Sequence, residues 1–404
     1  MKTLKVNIIR GQNQIGGSII EVYSDKTKIV FDVGINLIED EKIEIPNVDG
    51  LFSGNKKYDA VFLTHYHADH IGLISNIIKE IPIYMGEKAF NIVQASNEYR
   101  DIKFDFKPIL VKNKEEIQIN DIKVTPLLCD HSAFDSYMYL IESGEKRILY
   151  TGDFRANGRL NYSELLEYLP NVDSLVIEGT TLSRDDSIEN IEEELLEDIA
   201  VKAMKNHCGP AFIMMSAMNI DRLVTARNAA LQCDRLFLED VYTAMIAKAS
   251  GETDLFPDKN KSNCVFMTGG DKQYELLAQF GSSKIGKEAI SRNNFLMCIR
   301  PSMRNYLNKL NELCSFEDGI MFYAMWKGYL DRPDMKEFID YMKSKGVKIH
   351  ILHTSGHADA KTIDKLVEIV NPKEIIPIHT ENEKWFSRYE SRHIIYECVN
   401  HEIM

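Results

Sequence analysis

Residues 65–70 read His65-Tyr66-His67-Ala68-Asp69-His70, directly after the apolar run Val61-Phe62-Leu63. No other feature constrains the fold as strongly. Four potential metal ligands stand where a buried strand should end, and a strand end is a rigid platform for a tight turn. His65 and His67 can point to one side of that turn, with Asp69 and His70 on the other, so six residues can serve two metal ions. Imidazole with carboxylate suits zinc or, failing that, manganese or iron. Three of the eleven histidines fall within these six residues at ligand-compatible spacings, which separates the segment from a surface turn that is merely rich in His.

The chain has 404 residues, too many for one ordinary core, so two domains are the default. Its 27% charged and 44% hydrophobic residues are ordinary globular proportions. No apolar run could span a bilayer, and Met1-Lys2-Thr3-Leu4-Lys5 does not open a secretory signal. The seven cysteines (129, 208, 233, 264, 298, 314 and 398) are scattered, with no Cys-x-x-Cys pair. That pattern fits free thiols in a reducing cytoplasm without a membrane partner. A net charge of −13 argues against a sequence-independent nucleic-acid coat, which needs a broad basic face. It leaves room for a phosphodiester in a local cleft where metal ions supply positive charge. The acidic run Glu189 to Asp198 reads as a solvated helix face.

Along the chain, Leu4 to Arg10, Gly17 to Tyr23 and Lys28 to Val33 read as strands. Val61 to Leu63 leads into the ligand turn, and Ile71 to Lys79 reads as a helix. Strands at Ile109 to Val111, Glu116 to Ile119 and Ile122 to Leu128 end at Cys129-Asp130-His131. A hairpin, Ser136 to Ser143 and Lys146 to Tyr150, runs into Thr151-Gly152-Asp153, and Ser174 to Ile177 ends at Glu178. From about Ile188 to Lys345 helices alternate with apolar strands at Ala211 to Met215, Arg235 to Leu238, Asn263 to Phe266, Phe295 to Ile299 and Ile320 to Tyr323. This is the pattern of an open α/β unit. Lys348 to Leu352 then delivers His353-Thr354-Ser355-Gly356-His357. A helix over Ala360 to Val370 and a strand over Glu374 to Ile378 deliver His379. Taken singly, His131 fits a turn histidine, Asp153 a helix cap and His379 a core histidine. Taken with residues 65–70, their shared place at strand ends predicts that they converge on one edge of a layered sheet.

These residues resemble the metallo-β-lactamase superfamily and, within it, the β-CASP nucleases, most closely the ribonuclease J group. Asp32, residues 65–70, His131, Asp153 and His379 correspond to the five superfamily motifs. Glu178 in Glu-Gly-Thr, His357 in Ser-Gly-His-Ala and His379 in Pro-Ile-His-Thr-Glu match the β-CASP signatures. Ser216 to Arg222 is a looser match to the Ser-Asn-x-x-Arg segment that lines the RNA channel; an ordinary helix N-terminus capped by Ser216 or Asn219 is the competing reading. Nothing in the chain corresponds to the separate C-terminal domain of the ribonuclease J group, which leaves that group's oligomer and processivity as open expectations.

The resemblance implies an α/β chain: an αββα metallo-β-lactamase sandwich at residues 1–190 and 346–404, with an α/β β-CASP domain inserted at 191–345. It implies two divalent ions, zinc by default and manganese as the alternative. One would be held by His65, His67, His131 and Asp153, the other by Asp69, His70, His379 and the shared Asp153. Asp32 would orient a ligand without binding metal. His357 would be the general acid, held by Glu178, with Asp69 completing the catalytic set. Ser216, Asn219, Arg222, Ser355 and Gly356 would grip phosphate. Trp326 and Tyr329 read first as aromatic core of the insert, with base stacking as the alternative. The implied activity is hydrolysis of single-stranded RNA, from a 5′ end or internally, by a water activated between two metals, leaving 5′-phosphate and 3′-hydroxyl. His379 in the third β-CASP motif favours RNA over DNA. A DNA nuclease, or a small-molecule ester or thioester hydrolase, is the alternative, and a homodimer is one assembly the resemblance admits.

Overall fold

The strands form where short Ile-, Val- and Phe-rich runs meet glycine and turn residues, because β-branched and aromatic side chains pack well on a pleated surface. The computed structural model describes residues 3–37, 43–103 and 106–404. One seven-stranded sheet runs in the order His401–Glu402, Lys5–Arg10, Ile19–Tyr23, Lys28–Phe31, Ala60–Phe62, Ile83–Gly86, Ile109–Val111. A second runs His393–Ile394, Glu374–Ile378, Ser174–Glu178, Lys146–Tyr150, Ser136–Ser143, Ile122–Cys129, Ile117–Ile119, again seven strands. Each sheet takes strands from both ends of the chain.

The two sheets close on a core that mixes Val22, Phe31 and Phe62 from the first with Tyr139, Ile148 and Val176 from the second. The Phe31 ring lies 5.3 Å from that of Tyr139. Helices Tyr162–Tyr168 and Ala360–Val370 cover the outer face of the second sheet. Helix Glu87–Arg100 covers the first. The layers are therefore helix, sheet, sheet, helix. Lys146–Tyr150, Ser174–Glu178 and Glu374–Ile378 are neighbours and parallel, with Glu178 opposite Ile378. The loops that carry Asp153, Gly179 and His379 must then leave from the same edge.

A third sheet has six strands, all parallel, in the order Asn263–Phe266, Leu236–Asp240, Phe295–Cys298, Ala211–Met214, Ile320–Tyr323, Lys348–Ile351. Helices Glu193–Lys205, Ile220–Leu231 and Val241–Ala249 pack on one face and join the core of the first sheet's helix layer. Helices Arg304–Asn311 and Pro333–Ser344 pack on the other. Met214, Tyr323 and Ile351 lie side by side. Parallel strands put their following loops at one edge, where open α/β sheets hold ligands.

Three expectations need correcting. Ile71 to Lys79 is not one helix: a four-residue helix, Ala68–Ile71, stops at Gly72, a 3₁₀ turn covers Ile74–Asn76, and Ile77 is extended. Gly72, Ser75 and the β-branched isoleucines are poor helix formers. The strand expected at Arg235 to Leu238 runs Leu236–Asp240, so Glu239 lies fully buried in a sheet. The acidic run is not wholly solvated, because Glu193 is buried too.

Candidate metal centre and catalytic cleft

Strand Ala60–Phe62 is buried along its length and hands over through Leu63 and Thr64 to His65, which is 1% exposed. The turn is held by Asp32, which sits in the left-handed region (φ 58°) just beyond Lys28–Phe31. The Asp32 carboxylate accepts hydrogen bonds from the Thr64 amide (2.8 Å), the Thr64 hydroxyl (2.8 Å) and the Tyr150 hydroxyl (2.6 Å). It also lies 2.8 Å from His70 Nδ1. His70 therefore turns Nε2 inward. A carboxylate so placed can fix a ring whose other nitrogen is left free for a metal.

His131 follows Ile122–Cys129, and Asp153 follows Lys146–Tyr150 across Gly152 (φ 51°). His379 (φ 49°) follows Glu374–Ile378, with Nδ1 2.8 Å from the Thr180 hydroxyl. Two groups of ligand atoms converge. His65, His67 and His131 form one, and Asp69, His70, Asp153 and His379 the other. His67 Nδ1 is 3.2 Å from His131 Nε2, and His70 Nε2 is 3.2 Å from Asp153 Oδ2. His379 Nε2 is 3.1 Å from Asp69 Oδ2, and His65 Nε2 is 3.8 Å from Asp153 Oδ2.

The donor set fits metal. His65 Nε2, His70 Nε2 and both Asp153 oxygens are buried without a hydrogen-bond partner, a costly state unless a cation satisfies them. Ligand atoms about 3.3 Å apart are what a tetrahedral ion with bonds near 2.0 Å would gather. Burial, followed by the repulsion of neighbouring rings, lowers the pKa of His65 and His131 well below the usual imidazole range. Burial also lowers His67, to about 4, against the pull of Asp69 and Asp153. Neutral imidazole is the ligating form. Asp153 is buried, which favours its acid form, but His379 and His70 outweigh that and hold it well below the carboxylate range.

His357 borders this centre. Its Nδ1 is 3.2 Å from Glu178 Oε2 and 3.6 Å from Asp153 Oδ2. Burial opposes a charge on His357, but Glu178 first and Asp153 second raise its pKa to about 9. Glu178 is wholly buried and also accepts from the Phe154 amide at 3.0 Å, so its carboxylate cannot swing away. Ser355 Oγ accepts from the His357 amide at 3.1 Å. A side chain on Gly356 would run into Ser132 Oγ, at 2.3 Å from its Cβ. A cavity of about 620 Å³ opens beside His131 and Ser132, bounded by Lys88, Phe134, Arg159 and Ile220.

Arg222 does not reach the cleft. It is 1% exposed, binds both oxygens of Glu193, and donates to the Leu352 carbonyl at 2.8 Å. Its fork is therefore used up inside the fold. Asn219 caps helix Ile220–Leu231 by accepting from the Arg222 amide, while Ser216 is exposed at the strand end. Sequence reasoning passed over three groups. Thr180 orients His379. Arg155, wholly buried, binds Asp130 (3.0 Å) and Asp221 (2.5 Å) and so ties the His131 loop to the middle of the chain. Arg184 is exposed, feels the charge of Glu178, and forms no ion pair among the described residues. A Thr after Glu178-Gly179 was the only one of these signals visible in sequence.

Residues 27–227 match the family model described as beta-lactamase superfamily domain, and residues 341–389 that described as Zn-dependent metallo-hydrolase RNA specificity domain. The chain is similar to ribonuclease J of Mycoplasma genitalium, 25% identical over 94% of this chain and 68% of that protein. It is similar to ribonuclease J of Pyrococcus abyssi, 23% identical over 94% of this chain and 90% of that one. A solved protein of unknown function from Enterococcus faecalis V583 shares the fold over 100% of both chains, with a TM-score of 0.83 at 20% identity.

Proposed function

The chain belongs to the β-CASP nuclease branch of the metallo-β-lactamase superfamily, and we propose that it is a metal-dependent ribonuclease acting on single-stranded RNA. One observation carries the reading. A buried carboxylate, Asp153, belongs to the group with Asp69, His70 and His379 and lies 3.8 Å from His65 of the other group, and a histidine backed by a second buried carboxylate stands 3.6 Å from it. A hydrolase that must stabilise charge on phosphorus and also protonate a leaving oxygen needs both parts side by side.

In this reading residues 1–190 and 346–404 form the metallo-β-lactamase domain and 191–345 the inserted β-CASP domain. His65, His67, His131 and Asp153 would hold one divalent ion, and Asp69, His70, His379 and Asp153 the other. Zinc suits five imidazoles and two carboxylates, with manganese the alternative. Bound there, the ions would lower the pKa of a water and offset the charge that grows on the phosphoryl oxygens.

The protein's own groups do the rest. Asp32 and Thr180 fix the ring orientations of His70 and His379. His357 holds a proton and gives it to the leaving 3′ oxygen, so that a 5′-phosphate and a 3′-hydroxyl result. Glu178 keeps His357 Nδ1 protonated and leaves Nε2 as the donor to the scissile bond. Ser355 and Gly356 set the loop that presents His357. Ser216 and Asn219 remain as contacts for a phosphate at the strand end, and Arg184, whose charge reaches Glu178 and His353, is an exposed cation for the RNA backbone where Arg222 is not. Seven free thiols agree with a cytoplasmic setting. No helix among the described residues is long and apolar enough to cross a membrane.

The test is cleavage of 5′-labelled single-stranded RNA and DNA of one sequence, with bound metal measured on the same samples and Asp69→Ala alongside. Labelled mononucleotide from RNA alone means a 5′ exoribonuclease, and internal fragments mean an endonuclease. Cleavage of DNA as readily as RNA would make it a general nuclease. Two bound metals with neither polymer cut would overturn the reading in favour of a small ester or thioester.

A further inference from the structure

We propose that Trp326 and Tyr329 form a stacking platform for an unpaired base of the substrate, at the edge of the third sheet that faces the catalytic loop. The sequence reading placed this pair in the core of the insert. Both side chains are instead exposed, Trp326 by 54% and Tyr329 by 36%. They follow strand Ile320–Tyr323, whose core is already filled by Phe212, Met321 and Tyr323, so no apolar layer is left to cover them.

The pair is held in place. The Trp326 carbonyl accepts from the Tyr323 hydroxyl and from the Tyr329 amide, both at 3.1 Å. The six-membered part of the indole fills the space where a side chain at Gly328 would stand, 2.2 Å from that Cβ position. Glycine at 328 is thus what lets the ring lie on the backbone. Tyr329 meets Trp326 edge-on, with ring centres 5.3 Å apart at 90°. The ring is braced by the Gly328 backbone and by Tyr329 and still stands 54% exposed, so its open surface can meet a partner with little further ordering cost.

Its position supplies the ligand class. Tyr323 lies beside Ile351 in the sheet and its carbonyl accepts from the Leu352 amide at 2.9 Å, one residue before His353 opens the loop that carries His357. The charge of Arg184 reaches His353, and Lys327 is the exposed neighbour of Trp326. Neither cation has an ion pair among the described residues. A rigid indole face with unpaired cations nearby is the chemistry that holds single-stranded nucleic acid, with the base stacked and the backbone attracted. A duplex cannot use it, because its bases are stacked on each other. The ribonuclease reading names the ligand, and the proposal rests on it to that extent.

The chain has two tryptophans, and the other, Trp385, is 8% exposed. Quenching of intrinsic fluorescence by an added ligand that is absent from Trp326→Ala therefore reports on Trp326, the tryptophan a solute can reach. Titration of the protein with an oligouridylate should quench it, and an RNA duplex of equal length should quench it much less. In RNA cleavage, Trp326→Ala should raise KM roughly 10-fold, within the range that base–aromatic stacking gives. It should leave kcat at saturating RNA, metal content and thermal stability unchanged, and Trp326→Phe should recover most of the loss. If the wild type cuts RNA while Trp326→Ala keeps its KM and the single strand leaves the fluorescence unaltered, the platform is refuted and the nuclease stands. If no RNA is cut but the single strand still quenches Trp326, the platform stands and the nuclease reading falls.

Discussion

Arg222 grips Glu193 at two points, Nη2 to Oε1 at 2.9 Å and Nε to Oε2 at 3.0 Å, with both side chains buried. Glu193 also accepts from the Thr225 hydroxyl at 3.1 Å and lies 3.5 Å from the Arg155 guanidinium. Through Arg155 the network reaches Asp130, next to His131. The pair therefore joins the start of helix Glu193–Lys205, helix Ile220–Leu231 and the end of strand Lys348–Ile351 to the loops of the metal centre.

Removing one partner of such a pair strands a buried charge. Arg222→Ala should lower unfolding stability by about 3–5 kcal/mol, read by urea denaturation. Arg222→Lys should recover only part of this, since an ammonium cannot replace the fork. A variant that keeps full stability and only binds RNA more weakly would return Arg222 to the phosphate-gripping role.

His357→Ala should leave metal content unchanged and cut turnover of RNA by roughly 10²–10⁴-fold, the range for a positioned acid. Glu178→Gln should act in the same direction through His357, because an amide oxygen holds the Nδ1 proton less strongly than a carboxylate. Single-turnover cleavage measures both. Activity near that of the wild type in His357→Ala would remove the general-acid role.

Asp32→Asn should weaken metal binding roughly 10- to 100-fold, as loss of a ligand-orienting carboxylate does. Asp69→Ala should go further and lower the metal bound per chain from two to one. Elemental analysis after dialysis against graded chelator separates the cases. An Asp32→Asn protein with unchanged affinity would mean that Thr64 and Tyr150 hold the turn without it.

The fold class was legible because its signals are local: apolar runs of strand length, each ended by a His or Asp, and helix Ala360–Val370 with Asp359 as its cap. The convergence of His65, His131, Asp153 and His379 was legible for the same reason, since every one closes a strand. Arg222 was not. A cationic fork at a helix start has the same sequence whether it faces a cleft or a glutamate 29 residues upstream. Trp326 failed in the opposite sense. Aromatic residues default to the core, and only the filled face beneath Ile320–Tyr323 shows that no core was left for it. Arg155 gave no signal, because Asp130 and Asp221 are distant in sequence, and Thr180 showed only as the Thr after Glu178-Gly179, its partner His379 being brought near by the parallel pairing of Ser174–Glu178 with Glu374–Ile378.

The last prediction concerns Glu239, fully buried in strand Leu236–Asp240. Burial raises its pKa from the ordinary 4.5 to about 8, with Asp240 adding to the effect and Asn263 and Arg227 offsetting part of it. The folded protein therefore holds a proton between about pH 4.5 and about 8 that the unfolded chain has released. More protons bound to the native state means that stability falls as pH rises through that window, by at most about 1.4 kcal/mol per pH unit for one group. Above about pH 8 both states are ionised and the slope from Glu239 ends. Glu239→Gln keeps the shape and cannot ionise, so it should lack this part of the slope. The variant should gain stability over the wild type progressively from pH 5 to pH 8, as read by urea unfolding at each pH. Parallel pH profiles for the two proteins would mean that Glu239 is ionised in the folded state at neutral pH and is stabilised there by a charge its burial does not reveal.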